Sequence, residues 1–284
     1  MKPSWDTVAI VGVGLIGGSI GLALRERGLA RHVVGIGRGA ASLRQARRIG
    51  AVTRTTLDLT RGAARAELVI VCTPVGRIAA DVCAAAEASR TGALVTDVGS
   101  TKAQIVAALD GKLPRQSRFV GSHPLAGGEK SGAAHATTEL FVGRTVVVTP
   151  TAATANDDFA SVAALWHGLG AKVVRMSPDD HDRILAATSH VPHLVASALA
   201  AATPQHDLPL AASGWLDTTR VASGDAELWQ QIFLSNRAHV LAALGRFDEV
   251  LASLRQALER GDDARLAEIL AEAKRRRDAA DVPQ

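Results

Sequence analysis

The sequence predicts an α/β protein in which a parallel sheet covered by helices is followed by an all-helical segment. In the first part of the chain, short continuous apolar runs alternate with helical patterns, which is typical of strands buried on both faces of a parallel sheet. From Ser177 onward, Ala- and Leu-rich helical patterns replace the strands. The 284 residues are enough for two domains, which we expect at residues 1–176 and 177–284.

Apolar runs and the residues that interrupt them predict the individual elements. The expected strands are Val8–Val11, His32–Ile36, Leu68–Cys72, Ala93–Val98, Thr145–Thr149 and Lys172–Met176. The helices expected between them are Ile16–Arg27, Ser42–Ile49, Arg77–Ala88 and Asp157–His167. Ser177 as N-cap and Pro178 at the first helical position are a strong helix start. The helices expected after it are about Pro178–Ala202, Leu228–Gly245, Phe247–Glu259 and Asp263–Ala280.

Composition and charge narrow the class of protein. A hydrophobic content of 47% with 21% charged residues is globular. The net charge of +4 comes from scattered basic residues, which favours anionic small molecules over nucleic acid as partners. Two cysteines, Cys72 and Cys83, form neither a disulfide framework nor a zinc motif, so we expect no metal. No signal peptide and no apolar run of about 20 residues is evident, which predicts a soluble cytoplasmic protein without a membrane partner.

The segment Gly12-x-Gly14-x-x-Gly17 follows a predicted strand and opens a predicted helix. In that context the first glycine makes a tight turn, the second lets the backbone approach a pyrophosphate, and the third allows close packing of helix on sheet. The pattern therefore predicts a Rossmann-type dinucleotide-binding domain. Further cofactor contacts are expected from Leu15, Ile16, Thr73, Pro74 and Ser100.

The end of the second predicted strand bears on the choice of cofactor. An acidic residue there would bind the 2′-hydroxyl of the ribose of NAD, but the sequence reads Gly35-Ile36-Gly37-Arg38. Arg38 would pair with the 2′-phosphate of NADP, with Ser42 and Arg44 as helpers. We therefore expect NADP, and NAD stays open as the alternative.

Four segments carry residues suited to chemistry. The glycine-rich stretch 121–132 contains His123, and we expect a catalytic base on a loop there. Residues 97–102 follow a parallel strand, at the edge where ligands bind in open α/β sheets. The others are His181-Asp182 with Ser189-His190-Val191-Pro192-His193, and Asp217–Ala222 followed by Trp229.

These segments, in this order behind the glycine fingerprint, resemble the prephenate/arogenate dehydrogenase family of tyrosine biosynthesis. The likeness runs from Val8 to about the last helix. Its most specific parts are the His-Pro-x-Ala-Gly-x-Glu-Lys-Ser-Gly run, Ser-His-x-Pro-His and Thr-Arg-x-Ala. The resemblance implies oxidative decarboxylation of prephenate to 4-hydroxyphenylpyruvate, with hydride transfer to NAD(P). Arogenate, oxidised to tyrosine in the same way, stays open as the substrate.

The resemblance also implies roles for individual residues. His123 accepts a hydrogen bond from the C4 hydroxyl of the substrate and takes its proton as hydride leaves. Ser100 binds the same hydroxyl or orients His123, while a helix N-cap is its other interpretation. Arg220 is the best carboxylate clamp, because a guanidinium offers a planar bidentate fork. Glu129 and Lys130 flank the pocket, and Glu129 would pair with Arg220 before substrate arrives.

The helical domain contributes the remaining candidates. His193 is expected at the side-chain end of the substrate, with Ser189 and His190 nearby, although His190 can also be a buried structural histidine. Trp229 resembles a tryptophan that reaches into the site of the partner subunit, and core packing is its alternative. The apolar faces of these helices favour a homodimer.

Two other classes of function stay open beside this one. The first is another dehydrogenase or reductase with the same two-domain plan, in which a catalytic lysine is common on the helical domain. The chain has no lysine between Lys172 and Lys274, which counts against this class. The second is a non-catalytic sensor that binds NADP.

Overall fold

The computed structural model describes residues 4–128 and 132–280. Its centre is an eight-stranded sheet with the strand order β3-β2-β1-β4-β5-β6-β7-β8. The strands are β1 Trp5–Val11, β2 Ala30–Ile36, β3 Arg54–Thr56, β4 Leu68–Val71, β5 Leu94–Asp97, β6 Arg118–Pro124, β7 Thr145–Thr149 and β8 Lys172–Arg175. All neighbouring strands are parallel except β6 and β7. The predicted α/β class is confirmed, and the sheet is parallel as predicted except where β7 pairs with β6.

Helices connect the strands and follow the sheet. Within the described residues, those of the first half are α1 Leu15–Glu26, α2 Ala40–Arg48, α3 Leu59–Ala63, α4 Val75–Ala88, α5 Ala103–Leu109 and α6 Asn156–Gly168. The later helices are α7 Pro178–Leu185, α8 Val191–Ala202, α9 Ser213–Thr219, α10 Ala226–Ser235, α11 Arg237–Arg260 and α12 Asp263–Ala280.

The sheet is buried on both faces, as its apolar strands predict. In β1, Val8 and Ile10 belong to one apolar cluster, whereas Ala9 and Val11 belong to another. Successive side chains of a strand point to opposite faces, so these clusters are the two layers between sheet and helices. The strand order reverses between β1 and β4, where ligands bind in doubly wound folds.

The prediction that His123 lies on a loop is wrong. His123 belongs to β6, where it pairs with Val147 of the antiparallel strand β7. Pro124 disfavours helical backbone at the preceding residue, and the apolar strand β7 supplies a hydrogen-bonding partner. The local sequence of β6 is mixed in polarity, so the distant strand decides its conformation.

The expected helix Pro178–Ala202 is continuous but contains a wider turn. Residues Ala186–His190 form a π-helical segment between α7 and α8. Pro192 has no N–H to donate to the preceding turn, which accounts for the local change in hydrogen bonding. By length and mean hydropathy this 25-residue stretch could cross a membrane. However, it carries Asp182 and His190 into the protein interior, which is typical of a core helix.

The predicted helix break at Gly245 is wrong. The break instead falls at Asn236, and α11 then runs without interruption from Arg237 to Arg260. A single glycine costs a helix only about 1 kcal/mol, which tertiary packing readily offsets. The backbone of Asn236 leaves the helical region, and its side chain is buried and hydrogen-bonded to Asp182 and His190.

The chain forms two compact units, Met1–Arg237 and Ala238–Gln284. The first contains the sheet and the helices α1 to α10. The second contains most of α11 and all of α12, and it exposes the apolar side chains of Leu241, Val250, Leu251, Leu258 and Leu270. The domain boundary near Ser177 stays a prediction.

Candidate active site

Two adjoining cavities lie at the carboxyl ends of the parallel strands, within the first unit. One has a volume of about 470 Å³ and is lined by the glycine fingerprint and the end of β2. The other has a volume of about 660 Å³ and contains Ser100, His123 and Trp229 in its lining. Both include Gly14, Thr73 and Pro74, so an elongated ligand would pass from one to the other.

The fingerprint glycines form the cradle that their spacing predicts. Gly12 has a φ of +94°, and a Cβ there would lie 2.7 Å from the carbonyl oxygen of Cys72. At Gly17 a Cβ would lie 2.2 Å from the carbonyl oxygen of Gly12. Gly14 precedes α1, and no side chain caps this helix N-terminus. Its N–H groups and the buried, unpartnered Oγ1 of Thr73 are therefore available to a ligand. These features fit the pyrophosphate of a dinucleotide.

The end of β2 lies in the smaller cavity. The lining of this cavity includes Gly37, Arg38 and Ser42, as expected of residues that contact the ribose of a dinucleotide. Its described lining does not include Arg44, the other predicted helper. Leu15 and Ile16 line the larger cavity instead, where α1 begins.

A chain of hydrogen bonds connects His123 to a buried carboxylate. His123 Nδ1 lies 2.9 Å from His181 Nε2, and His181 Nδ1 lies 2.7 Å from Asp182 Oδ1. Because a carboxylate only accepts, His181 donates from Nδ1 and its Nε2 is left to accept from His123 Nδ1. His123 is thereby held in the tautomer whose Nε2 carries a lone pair. This is the arrangement that a general base requires.

Asp182 is itself fixed by backbone groups. The N–H of Lys102 donates to its Oδ1 at 2.7 Å, and the N–H of Ala103 donates to its Oδ2 at 2.9 Å. Asn236 Nδ2 donates to the carbonyl oxygen of Asp182 at 2.7 Å and lies 3.1 Å from His190 Nδ1. The carboxylate therefore joins the N-terminus of α5 to α7, on which His181 lies.

The side chain of Lys102 links the β5–α5 loop to the strands β5 and β6. Its Nζ pairs with the Asp97 carboxylate and donates to the carbonyl oxygen of Ser122 at 3.0 Å. Both side chains of this pair are fully buried. Asp97 also accepts the N–H groups of Gly99 and Ser122, at 2.8 and 3.2 Å. The pair thus holds the β5–α5 loop against the strand that carries His123.

The surroundings keep the histidines neutral. Burial is the main cause that holds the pKa of His123 well below 6.5, and His181 and Lys102 add to it. Burial also lowers the pKa of His190 to about 4. Burial alone would raise the pKa of Asp182, but hydrogen bonds from His181 and two backbone N–H groups hold it below 3.8. Near neutral pH the network is therefore an anionic carboxylate followed by neutral imidazoles.

Several of the predicted site residues, from the β5–α5 loop and from the helical segment, line the larger cavity. Ser100 lines the cavity beside His123, and α5 begins at Ala103 with Lys102 as its N-cap, so Ser100 does not cap that helix. Ser189, His190 and Trp229 also line the cavity. Trp229 lines the cavity of its own chain, and its expected place in the site of a partner subunit stays a prediction.

Two other predicted substrate contacts, His193 and Arg220, are not among the described residues that line this cavity. His193 is 4% exposed and stacks on Trp229, with ring centroids 3.6 Å apart. Its buried Nδ1 lacks a hydrogen-bond partner among the described residues. Arg220 is exposed at the start of a 3₁₀ turn and is outside the described lining of the cavity. Glu129 and Lys130 lie outside the described residues.

The functional roles of Lys102, His181, Asp182 and Asn236 are not predicted from the sequence. His181-Asp182 is visible as an acid beside a histidine in the first turns of an amphipathic helix, but nothing local shows that Asp182 faces a loop 80 residues earlier. Asn236 has no sequence signal beyond its place between two helical patterns. Lys102 ends the segment 97–102 that the sequence singles out, but no local pattern shows that its ammonium pairs with Asp97.

Comparisons with known families cover nearly all of the chain. The profile described as "Prephenate dehydrogenase, nucleotide-binding domain" matches residues 20–175. The profile described as "Prephenate dehydrogenase, dimerization domain" matches residues 177–272. Together these matches account for both halves of the predicted architecture.

Individual relatives agree with the profiles. A cyclohexadienyl dehydrogenase of Zymomonas mobilis is 35% identical over 166 residues, which are 56% of this chain and 57% of the relative. A prephenate dehydrogenase of Bacillus subtilis is 34% identical over 181 residues, which are 62% and 49% of the two chains. The match thus spans about half the length of these curated relatives.

Two solved structures are similar over almost their whole length. Prephenate dehydrogenase from Aquifex aeolicus, in complex with hydroxyphenyl propionate and NAD⁺, superposes with a TM-score of 0.90 at 32% identity and covers 97% of this chain and 98% of that chain. Arogenate dehydrogenase from Synechocystis superposes with a TM-score of 0.81 at 29% identity and covers 96% and 99%.

The buried ion pair generates a prediction about stability. We expect Lys102→Met to lower the free energy of unfolding by about 3–5 kcal/mol, because it leaves the Asp97 carboxylate buried without its cation. Lys112→Met is the matched control, since Lys112 is exposed and its ammonium donates to the carbonyl oxygen of Ala107. Its expected effect is within about 0.5 kcal/mol. Urea unfolding measures both. Equal, small losses in the two variants would contradict the structural role of the pair.

Proposed function

Because the chain belongs to the prephenate dehydrogenase family, we propose that it oxidises and decarboxylates prephenate to 4-hydroxyphenylpyruvate. The observation that carries the proposal is the Asp182–His181–His123 chain, which ends in a cavity that adjoins the dinucleotide cradle. A base at this point would act on a hydroxyl whose carbon gives up hydride. The nicotinamide, when bound, would accept that hydride.

His123 Nε2 takes the proton of the C4 hydroxyl in the proposed reaction. A positioned base of this kind contributes roughly 10²–10⁴-fold to the rate. As Nε2 gains a proton, Nδ1 can pass its own to His181 Nε2. The positive charge then lies on His181, against the Asp182 carboxylate. The C4 carbon becomes a carbonyl, and loss of the ring carboxylate as carbon dioxide makes the ring aromatic.

The neutral state of His123 supports this role. A histidine whose pKa lies well below 6.5 is unprotonated at neutral pH and ready to accept a proton. We expect kcat/KM to hold its plateau as the pH falls to 6.5, because the acid limb follows the lowered pKa of the free enzyme. Ser100 would share the same hydroxyl, since it lines the cavity next to His123.

The carboxylates of the substrate need cationic or polar partners. By family resemblance we assign Arg220 as the clamp, with His193, Glu129 and Lys130 as further contacts. Trp229, Ser189 and His190 would form the wall beside the ring. Arogenate is the second candidate substrate, and the similarity to the Synechocystis arogenate dehydrogenase favours it.

We further propose NADP as the cofactor in preference to NAD. The cavity beside Gly37 contains Arg38 and Ser42, and no carboxylate follows β2 to bind a ribose 2′-hydroxyl. We also propose a homodimer through the helical domain. The match to a dimerization domain and the exposed leucines of α11 and α12 support it. The cytoplasmic location stays a prediction.

The first experiment crosses prephenate and arogenate with NADP and NAD in an assay of reduced nicotinamide absorbance. We expect the highest turnover with prephenate and NADP.

His123→Asn should lower kcat roughly 10²–10⁴-fold, because Asn cannot take up the proton. His206→Asn is the control, since His206 is exposed on a 3₁₀ turn. Absence of turnover in all four combinations, or full activity of His123→Asn, would contradict the proposal.

The hydrogen-bond chain generates a second kinetic prediction. In Asp182→Asn, an amide N–H₂ group replaces one carboxylate oxygen and faces groups that themselves donate. His181 must then either move its proton to the other ring nitrogen or lose this hydrogen bond. We expect kcat to fall roughly 10²–10⁴-fold while cofactor affinity is retained. Asp180→Asn, two residues earlier on α7, is the control, because Asp180 is exposed and pairs with the exposed Ser177 and Arg183. Steady-state kinetics with a thermal-unfolding check would measure both, and equal kcat values would contradict the relay.

A further inference from the structure

A second arginine lines the smaller cavity, on a different element of the chain from Arg38. Arg77 lies in the first turn of α4, directly after the β4–α4 loop that carries Thr73 and Pro74. It lines the same cavity of about 470 Å³ as Arg38 and Ser42. The two arginines therefore approach one space from the ends of β2 and β4.

Asp81 orients the guanidinium of Arg77. Arg77 Nε donates to Asp81 Oδ2 at 3.3 Å, and Arg77 Nη2 donates to Asp81 Oδ1 at 2.8 Å. The side chain of Asp81 is 9% exposed, whereas that of Arg77 is 48% exposed. A guanidinium has five N–H donors, so this bidentate contact leaves three of them for another acceptor. Asp81 thus holds one edge of the Arg77 guanidinium, and the other edge can donate to a ligand.

The charges of this cavity favour an anion. Within its described lining, Asp81 is the one carboxylate, and both of its oxygens accept from Arg77. This carboxylate lies on α4, and none in the described lining follows β2, where one would accept a hydrogen bond from a ribose 2′-hydroxyl. Two guanidiniums remain, together with the hydroxyl of Ser42 and an apolar wall that includes Leu43 and Leu57. Such a wall suits an adenine, and the cations suit a phosphate attached beside it.

We propose that Arg77, positioned by Asp81, is a second binding residue for the 2′-phosphate of NADP. The phosphate lies between Arg38, which follows β2, and Arg77, which begins α4. This inference rests on the proposed preference for NADP. It adds Arg77 as a specificity residue on the opposite wall of the cavity and Asp81 as its positioning residue.

The alternative role for Arg77 is a contact with the adenine. A guanidinium can stack on a base, and that contact is the same in NAD and NADP. The two roles therefore differ in one measurable property. A phosphate contact affects only ligands that carry the 2′-phosphate, whereas an adenine contact affects both classes equally.

The test uses the full-length protein and needs no substrate. Calorimetric titration with 2′,5′-ADP and with 5′-AMP, and fluorescence titration with NADPH and NADH, give the dissociation constants. We expect Arg77→Ala to weaken binding of 2′,5′-ADP and NADPH roughly 10- to 100-fold, the loss typical of a charged hydrogen bond, and to change 5′-AMP and NADH by less than about threefold. Arg90→Ala is the matched control, because Arg90 lies just beyond the other end of α4 and pairs with Glu67 at 2.9 Å.

Two conservative variants separate positioning from folding. Arg77→Lys keeps the charge but loses the planar fork, so it should recover part of the selective loss. Asp81→Asn keeps the side-chain volume but weakens the anchor, so it should give a smaller loss that is again confined to ligands with the 2′-phosphate. A loss that is equal for 5′-AMP and 2′,5′-ADP in either variant would overturn the assignment.

The outcomes distinguish this inference from the proposed cofactor. If the unaltered protein binds NADH as tightly as NADPH, the preference for NADP is wrong, and the inference falls with it. If it prefers NADPH and Arg38→Ala removes that preference while Arg77→Ala does not, the role of Arg77 alone is wrong. Selective losses in both variants support both assignments.

Discussion

The hydrogen bonds received by the Asp182 carboxylate are the constraint on which the site depends. A buried carboxylate is costly unless its oxygens are satisfied, and here two backbone N–H groups and one imidazole satisfy them. The backbone donors belong to the start of α5, and the imidazole belongs to α7. This requirement fixes the helical segment against the carboxyl edge of the sheet. It also determines which nitrogen of His181 carries the proton, and through His181 the state of His123.

The Lys102–Asp97 pair supports the same geometry from the sheet side. A buried ion pair contributes little net stability, because desolvation offsets the attraction between its charges. Here the pair positions its neighbours. The backbone N–H of Lys102 donates to Asp182, and its ammonium pairs with Asp97 and donates to the carbonyl oxygen of Ser122. One residue therefore ties the relay carboxylate to the strand that ends in His123. The ammonium of Lys102 also helps burial to keep the pKa of His123 low. The same residue therefore helps to position His123 and to keep it neutral.

Local patterns predicted the parts of the molecule that depend on local physics. The glycine fingerprint follows from a tight turn and a helix N-terminus a few residues apart, and the apolar strands follow from burial on both faces. The strand that holds His123 was beyond such patterns, because its partner β7 is more than 20 residues away and antiparallel. The contacts among Asp182, Lys102 and Asn236 are similarly non-local. Resemblance to the family supplied His123 as the base, but only the structure shows what sets its tautomer.

The state of the His123 ring is the central claim, and ¹⁵N NMR of the histidine rings at neutral pH tests it most directly. Long-range correlation spectra identify which ring nitrogen carries the proton, and the spectrum of His123→Asn assigns the resonances. We expect His123 and His181 both to be neutral, each with a proton on Nδ1 and none on Nε2. A proton on Nε2 of His123, or an imidazolium at neutral pH, would contradict it.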